Sequence, residues 1–345
     1  MPSTSRPSRY AGSPGRPVFV GACPRSGTTM LRTMLNSHPE LAVPHETRFL
    51  VDAWRRRARW GDLSEAHNRR RLARWVVRRK KSRVERLVDD PKQLVDRMVA
   101  APPTLGSVLA AGFALYAEGH DKPRWGDKRP SYVMNMDAVF RMFPDAQFIN
   151  VVRDPRAAVA SIRKIGWYRD GLEAGAAIWE QSVRCADIWR RRLAPDQFLE
   201  IQYEKLVADP RGTLEEIVAF LGLDPAGIDP MLQFHETTDI HSATMHPLVA
   251  KPVTTEALRT WDDTLDPGEV AFIENALARP MRRYGYTPDR PGVQVPAELS
   301  SGFRDRRRRM TRQRRRTWMA ERQLKLKYRR PVAAVRRDDP HPGTP

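Results

Sequence analysis

Residues 17–29 read PVFVGACPRSGTT. The start of this stretch, residues 17–23 (PVFVGAC), is an apolar, β-branched run ending in a glycine-containing loop, so it reads as a short buried strand. The second half is a loop with one glycine, Gly27, and Met30, Leu31, Met34 and Leu35 follow at helical spacing over residues 28–37. Strand, loop and helix in that order open an α/β domain. Gly27 lets the backbone approach an anion, and the helix start offers unpaired N–H groups and a favourable dipole. Thr28 and Thr29 add hydroxyls beside Ser26, and Arg25 adds a permanent charge with a planar fork of donors. The segment is suited to holding a phosphate.

A loop that grips a nucleoside triphosphate with Mg²⁺ needs Gly-Lys-Ser/Thr. Here Thr28 follows Gly27 directly and the cation comes before the glycine, which disfavours a kinase. A second unit of the same kind lies downstream. Residues 146–152 (AQFINVV) form a predicted strand, Arg153-Asp154-Pro155 a turn, and residues 156–164 a helix. Ser161 falls two helical turns beyond Arg153. Parallel strands deliver their C-terminal ends to one edge, where ligands bind, so two such elements suggest a nucleotide phosphorylated at both ends.

Working outward, residues 47–60, 64–90, 91–101 and 104–120 read as helices, and those near 50–101 form a basic insertion. Residues 170–193, 213–221 and 266–284 are further helices, residues 197–202 a third strand, and residues 225–253 an irregular segment rich in His and Thr. The expected fold is α/β: a P-loop-like, mainly parallel sheet with helices on both faces and a basic helical C-terminal extension. The expected domain spans residues 17–290, after a disordered N-terminus (1–16) and before a basic tail (291–345).

The 345 residues carry a net charge of +19, unevenly spread. Residues 55–86 contribute +11 and residues 303–330 contribute +12, so the remainder carries −4. The first window has Trp54, Trp60, Leu72, Trp75, Val76 and Val77 to pack its other side; the second suits an anionic membrane surface or an acidic partner. No zinc-finger or RNA-binding pattern accompanies the charge, so nucleic acid is disfavoured. Mean hydropathy of −0.59 and the short apolar run at 107–117 argue against a spanning helix. Cys23 and Cys185 alone give neither a disulfide framework nor a cysteine metal site, and no secretion signal is evident. The expectation is a cytoplasmic protein, peripheral to a membrane if the tail binds one, without a metal. His235, His241 and His246 have irregular spacing and read as loop structure.

Taken together, PRSGTTMLRTML (24–35) and VVRDPRAAVAS (151–161) resemble the 5′- and 3′-phosphosulfate-binding elements of sulfotransferases that use 3′-phosphoadenosine 5′-phosphosulfate (PAPS). The nearest resemblance is to the tyrosylprotein sulfotransferase branch. NSHPELAVPHETR (36–48), RWGDKRPSYV (124–133), YEKLVADP (203–210) and KPVTTEALRTW (251–261) follow the family's order. The resemblance implies a PAPS-dependent enzyme that transfers a sulfuryl group to a hydroxyl of a protein tyrosine, a glycan or a lipid. It implies that Arg25, Ser26, Gly27, Thr28 and Thr29 hold the 5′-phosphosulfate, that Arg153 and Ser161 hold the 3′-phosphate, and that Tyr203 and Lys251 help hold the nucleotide. Glu46 falls where the branch keeps its base, with Arg25 and Lys128 as catalytic cations; a homodimer is a further expectation.

The departures are His45 and Arg129, each standing where that branch keeps an acidic residue, and a transition-state serine for which Thr237, Thr238 and Ser242 are candidates. His45 is the rival base, its ordinary pKa lying near neutrality. Trp54, Trp60, Trp167 and Tyr168 are candidates to line an acceptor cleft. Alternatives from other classes are a P-loop-type small-molecule kinase and an anionic-surface binding protein with a degenerate nucleotide site.

Overall fold

The structure is a computed structural model, and it describes residues 15–164, 171–237, 252–255, 258–259 and 261–327. In chain order the elements are β1 (Val18–Ala22), α1 (Thr28–Ser37), β2 (Leu41–Ala42), α2 (Leu50–Arg55), α3 (Ala66–Arg78), α4 (Pro91–Ala100) and α5 (Leu105–Glu118). Next come β3 (Arg124–Lys128), α6 (Met136–Met142), β4 (Gln147–Val152), α7 (Pro155–Arg163), α8 (Gly171–Arg190) and β5 (Phe198–Gln202). The chain continues with α9 (Tyr203–Ala208), α10 (Pro210–Leu221), α11 (Ile228–Leu232), α12 (Pro267–Ala276), α13 (Ala278–Arg283) and α14 (Ala297–Lys327).

The five strands lie in the order β2-β3-β1-β4-β5, and every neighbouring pair is parallel. Val18 sits opposite Gly126 on one side and Gln147 on the other. Because successive side chains of a strand point to opposite faces, Phe19 and Phe148 enter a core with α3–α6, while Val18, Val20, Ile149 and Val151 enter one with α1 and α9–α11. A third cluster joins α7, α8 and α12 to the start of α14 through Trp179, Trp261, Phe272 and Phe303. The expected sheet with helices on both faces is therefore present, and all its strand C-termini point to one edge.

Several boundaries differ from the sequence reading. Residues 64–90 are not one helix: α3 stops at Arg78, and residues 80–82 and 84–86 are single 3₁₀ turns separated by Arg83 at φ +59°. The chain leaves the helix because Ser82 and Val84 are drawn inside and the Ser82 carbonyl accepts the Arg48 N–H at 3.2 Å. Residues 47–60 hold only α2 and a 3₁₀ turn at 57–59. Residues 266–284 are two helices, broken at Leu277, since Pro280 would clash with the carbonyl of Ala276 in a continuous helix. Residues 225–237, read as irregular, contain α11 between 3₁₀ turns. The strand β3 is missed by periodicity, because Arg124, Asp127 and Lys128 make it look like a surface loop although all five residues are buried.

Both basic windows have an inner side. Trp54, Trp60, Leu72 and Val76 are core residues, with Trp75 and Val77 packed against them. The first half of α14 lies on α8 and α12: Phe303 is buried, and Arg307 pairs with Glu180 at 2.8 Å.

Candidate active site

At the C-terminal end of β1 the chain makes two left-handed steps before α1, Arg25 at φ +68° and Gly27 at φ +84°. Gly27 is required twice over. The positive φ suits a residue without Cβ, and a Cβ there would meet the Tyr203 ring at 2.3 Å. The Arg153 guanidinium stacks on that ring, 4.4 Å from its centroid, and helps to hold it in place. Gly27 is the N-cap of α1 and no side chain caps the helix, so its first N–H groups face the loop. Ser26 is fully buried and its Oγ has no hydrogen-bond partner among the described residues. A hydroxyl left this way in a glycine-bent helix start fits an anion.

The second strand–turn–helix unit converges on the first. Arg153 Nη1 donates to the Arg25 carbonyl at 3.0 Å, and Arg25 Nε donates to Ser161 Oγ at 3.0 Å. The Trp179 indole N–H donates to the Arg153 carbonyl at 2.9 Å and fixes the turn. Asp154 serves Arg156, not Arg153: its carboxylate caps α7 and pairs with the Arg156 guanidinium at 2.7 Å, which reaches Glu274 at 2.6 Å. Burial, then the nearby Arg153 charge, push the Arg25 guanidinium below its ordinary pKa. Two guanidinium groups held together in a partly dry cleft are stabilised by an anion between them. Arg25, Ser26, Gly27, Arg153, Ser161 and Tyr203 thus form one continuous cradle, with Thr28 buried in the first turn of α1.

Beside it stands a second group. Lys128, the last residue of β3, points toward α1: its Nζ is 3.5 Å from Thr29 Oγ1 and 3.8 Å from Glu46 Oε2. Arg48 Nε and Arg129 Nε lie 3.6 and 3.9 Å from Glu46 Oε1. Glu46 keeps 22% of its side chain exposed, while Lys128 is buried, which lowers its pKa to about 8 despite the Glu46 charge. Glu46 lies before α2, whose first-turn acid is Asp52, so it is not a helix-start residue. The site therefore joins a partly exposed carboxylate, a buried ammonium and a phosphate loop.

Other expected positions fall differently. Trp54 and Trp60 are buried core side chains, the latter donating to the Ala53 carbonyl at 2.9 Å, and they do not line a cleft. Lys251, Thr238, Ser242, Trp167, Tyr168, His241 and His246 lie outside the described residues; Thr237 ends the 3₁₀ turn at 234–237. Cys23 is a buried small side chain whose thiol pKa burial pushes up. Among the described residues no cluster of His, Cys, Asp and Glu is placed to hold a metal ion. Sequence reasoning missed the parts behind the site, namely Asp127, Thr47, Tyr132, Arg86 and Trp179. The one signal for Asp127 is a charged residue next to Lys128 in a segment otherwise headed for the core.

A fold with phosphate-gripping elements at one sheet edge, and a carboxylate and ammonium beside them, defines a nucleotide-dependent group-transfer enzyme. Residues 17–226 match the sulfotransferase family. The chain is 28% identical over 296 residues to protein-tyrosine sulfotransferase 2 of Gallus gallus, covering 79% of this chain and 69% of that one. It is 25% identical over 297 residues to protein-tyrosine sulfotransferase A of Caenorhabditis elegans, covering 82% and 70%. In fold it is similar to the sulfotransferase domain from the curacin biosynthetic pathway, with a TM-score of 0.54, 19% identity and coverage of 81% and 99%. The corresponding domain of the Synechococcus PCC 7002 olefin synthase gives 0.52, 22%, 83% and 99%. The protein belongs to the sulfotransferase family: it is a PAPS-dependent enzyme that transfers a sulfuryl group to a hydroxyl-bearing acceptor.

Proposed function

We propose that this enzyme sulfates tyrosine hydroxyls of polypeptides, with Glu46 as the general base. The observation that carries the reading is the placement of the Glu46 carboxylate 3.8 Å from the Lys128 ammonium, which itself reaches Thr29 of the phosphate loop. The protein-tyrosine sulfotransferases among its relatives support the acceptor class. The cations Arg48 and Arg129 beside Glu46 also favour an acceptor hydroxyl flanked by acidic groups.

The roles follow from chemistry. PAPS supplies the sulfuryl group and a phosphate oxygen that leaves with the electron pair. In this reading Arg25, Ser26, Gly27, Thr28 and Thr29 hold the 5′ end, Arg153 and Ser161 the 3′-phosphate, and Tyr203 and Lys251 the rest of the nucleotide. A phenol is almost wholly protonated at neutral pH, so Glu46 takes its proton as the oxygen attacks. Lys128, with Arg25, neutralises charge gathering on the leaving oxygen. Positioning and fixed cations then do the catalysis, as in phosphoryl transfer.

The test is transfer of labelled sulfate from PAPS to a panel of tyrosine peptides, glycans and lipids, with product identification. Label on the tyrosine oxygen is expected; label only on a glycan or lipid overturns the acceptor assignment.

The Lys128 ammonium is the active form, and its pKa is lowered to about 8. Rising pH therefore removes the charge, and kcat/KM for the donor, which reports the free enzyme, falls above pH of about 8. Lys128→Arg, with a side chain that stays charged, moves that limb out of range at whatever turnover remains. A pH–rate profile of both enzymes checks this.

No helix among the described residues is long and apolar enough to cross a membrane. A cytoplasmic enzyme, with the distal part of α14 touching an anionic membrane surface, is part of the reading. The support for the membrane contact is Trp318 and Met319, exposed among the arginines of that helix.

A further inference from the structure

Residues 46–48 begin with the base, Glu46, and each of the three is tied down separately. The Glu46 carbonyl accepts Arg86 Nη1 at 3.0 Å, and the Arg48 N–H donates to the Ser82 carbonyl at 3.2 Å. Both of those ties come from the basic insertion. The tie to the sheet itself runs through Thr47, which is fully buried and donates its hydroxyl to Asp127 Oδ2 at 3.2 Å. The same oxygen accepts the Tyr132 hydroxyl.

Asp127 is an expensive residue for its place. It is wholly buried opposite Phe19 in the sheet register, and Tyr132 packs edge-on against Phe19. Its Oδ1 has no hydrogen-bond partner among the described residues. A buried carboxylate with one oxygen unserved costs stability that an apolar side chain would not. Two hydrogen bonds into a single oxygen do not remove that cost, since burial still raises the carboxyl pKa to about 7. What the residue provides is a link: it grips the neighbour of Glu46 while its own neighbour in β3 is Lys128.

We propose that Asp127, acting through the Thr47 hydroxyl, is a positioning residue for sulfuryl transfer, locking the Glu46 carboxylate in register with Lys128. The proposal rests on the reading of Glu46 as the base. Asp127 touches no reacting atom. It fixes the strand-to-loop distance that sets the 3.8 Å separation of base and ammonium, and misplacement by about 1 Å is enough to cost about 10²-fold in rate.

The test uses the full chain, labelled PAPS and a tyrosine peptide flanked by acidic residues, with desulfated donor (3′-phosphoadenosine 5′-phosphate) for binding. Thr47→Val keeps the shape and removes the hydroxyl. It is expected to lower kcat by about 10- to 100-fold, with KM for PAPS and the Kd of desulfated donor within about twofold. Thr47→Ser, which restores the hydroxyl, is expected to recover most of kcat. In an E46Q background Thr47→Val should cost less than about twofold more, because residues acting through one group are not additive. Asp127→Ala should match Thr47→Val, and the two together should be no worse than either; should D127A fail to fold, the Thr47 variants decide. Wild-type kcat in T47V, or a full further loss on adding T47V to E46Q, overturns the proposal. An E46Q enzyme at wild-type turnover overturns the base assignment and the proposal with it, and differs from the proposal's own failure, in which E46Q is impaired and T47V is not.

Discussion

Glu46→Gln lowers kcat by about 10²- to 10⁴-fold, the range for losing a general base, while desulfated donor binds as tightly as before. The substitution keeps the size and one acceptor oxygen but cannot take a proton at neutral pH. Glu46 and Lys128 form an ion pair, so part of the loss comes from releasing Lys128 from its partner. His45→Gln separates the rival assignment. It retains near-full turnover if Glu46 is the base; the reverse pattern, an active E46Q and an inactive H45Q, would reassign the proton to the imidazole. Steady-state kinetics on both variants, with calorimetric titration of the desulfated donor, give the answer.

Arg153→Ala weakens the desulfated donor by about 10- to 100-fold, the equivalent of the roughly 1.5–3 kcal/mol carried by hydrogen bonds to a charged group. The effect has three parts, all visible at the turn after β4. The cation is lost, the Arg25 carbonyl loses its donor, and the Tyr203 ring beside Gly27 loses the guanidinium over its face. Arg153→Lys recovers charge but not the fork, so it cannot serve a carbonyl and a ring face together. Its affinity is expected to fall between alanine and wild type. Unchanged donor affinity in R153A would remove the 3′-phosphate assignment.

Much of this architecture is legible in the sequence because its two decisive units switch period within a few residues. Residues 18–22 are apolar throughout and residues 147–152 are apolar except for Gln147 and Asn150, close to the pattern of strands buried on both faces, and each gives way to a helical spacing. β3 is illegible for a physical reason. Its Arg124 is buried by bonding backbone carbonyls of Arg16 and Leu221 and the side chain of Gln147, partners that only the folded chain supplies. The end of α3 at Arg78 is hidden likewise, since no local residue forbids continuing the helix and the stop is imposed by Arg48 across the fold. At the site, Arg25, Arg153 and Ser161 are readable because each sits at a strand end or one helical face. The meeting of Glu46 with Lys128 depends on β2 and β3 lying side by side, which their separation along the chain does not announce.

The strand order has a consequence for biosynthesis. β1 leaves the ribosome well before both of its sheet neighbours, β3 and β4, which lie more than a hundred residues downstream. At about 5–20 residues per second, the nascent VFVGA segment waits roughly ten seconds with its edges unpaired. Pairings this distant also make for slow closure. The growing polypeptide thus carries an apolar strand with open edges, the kind of segment that favours misassembly, until β4 emerges.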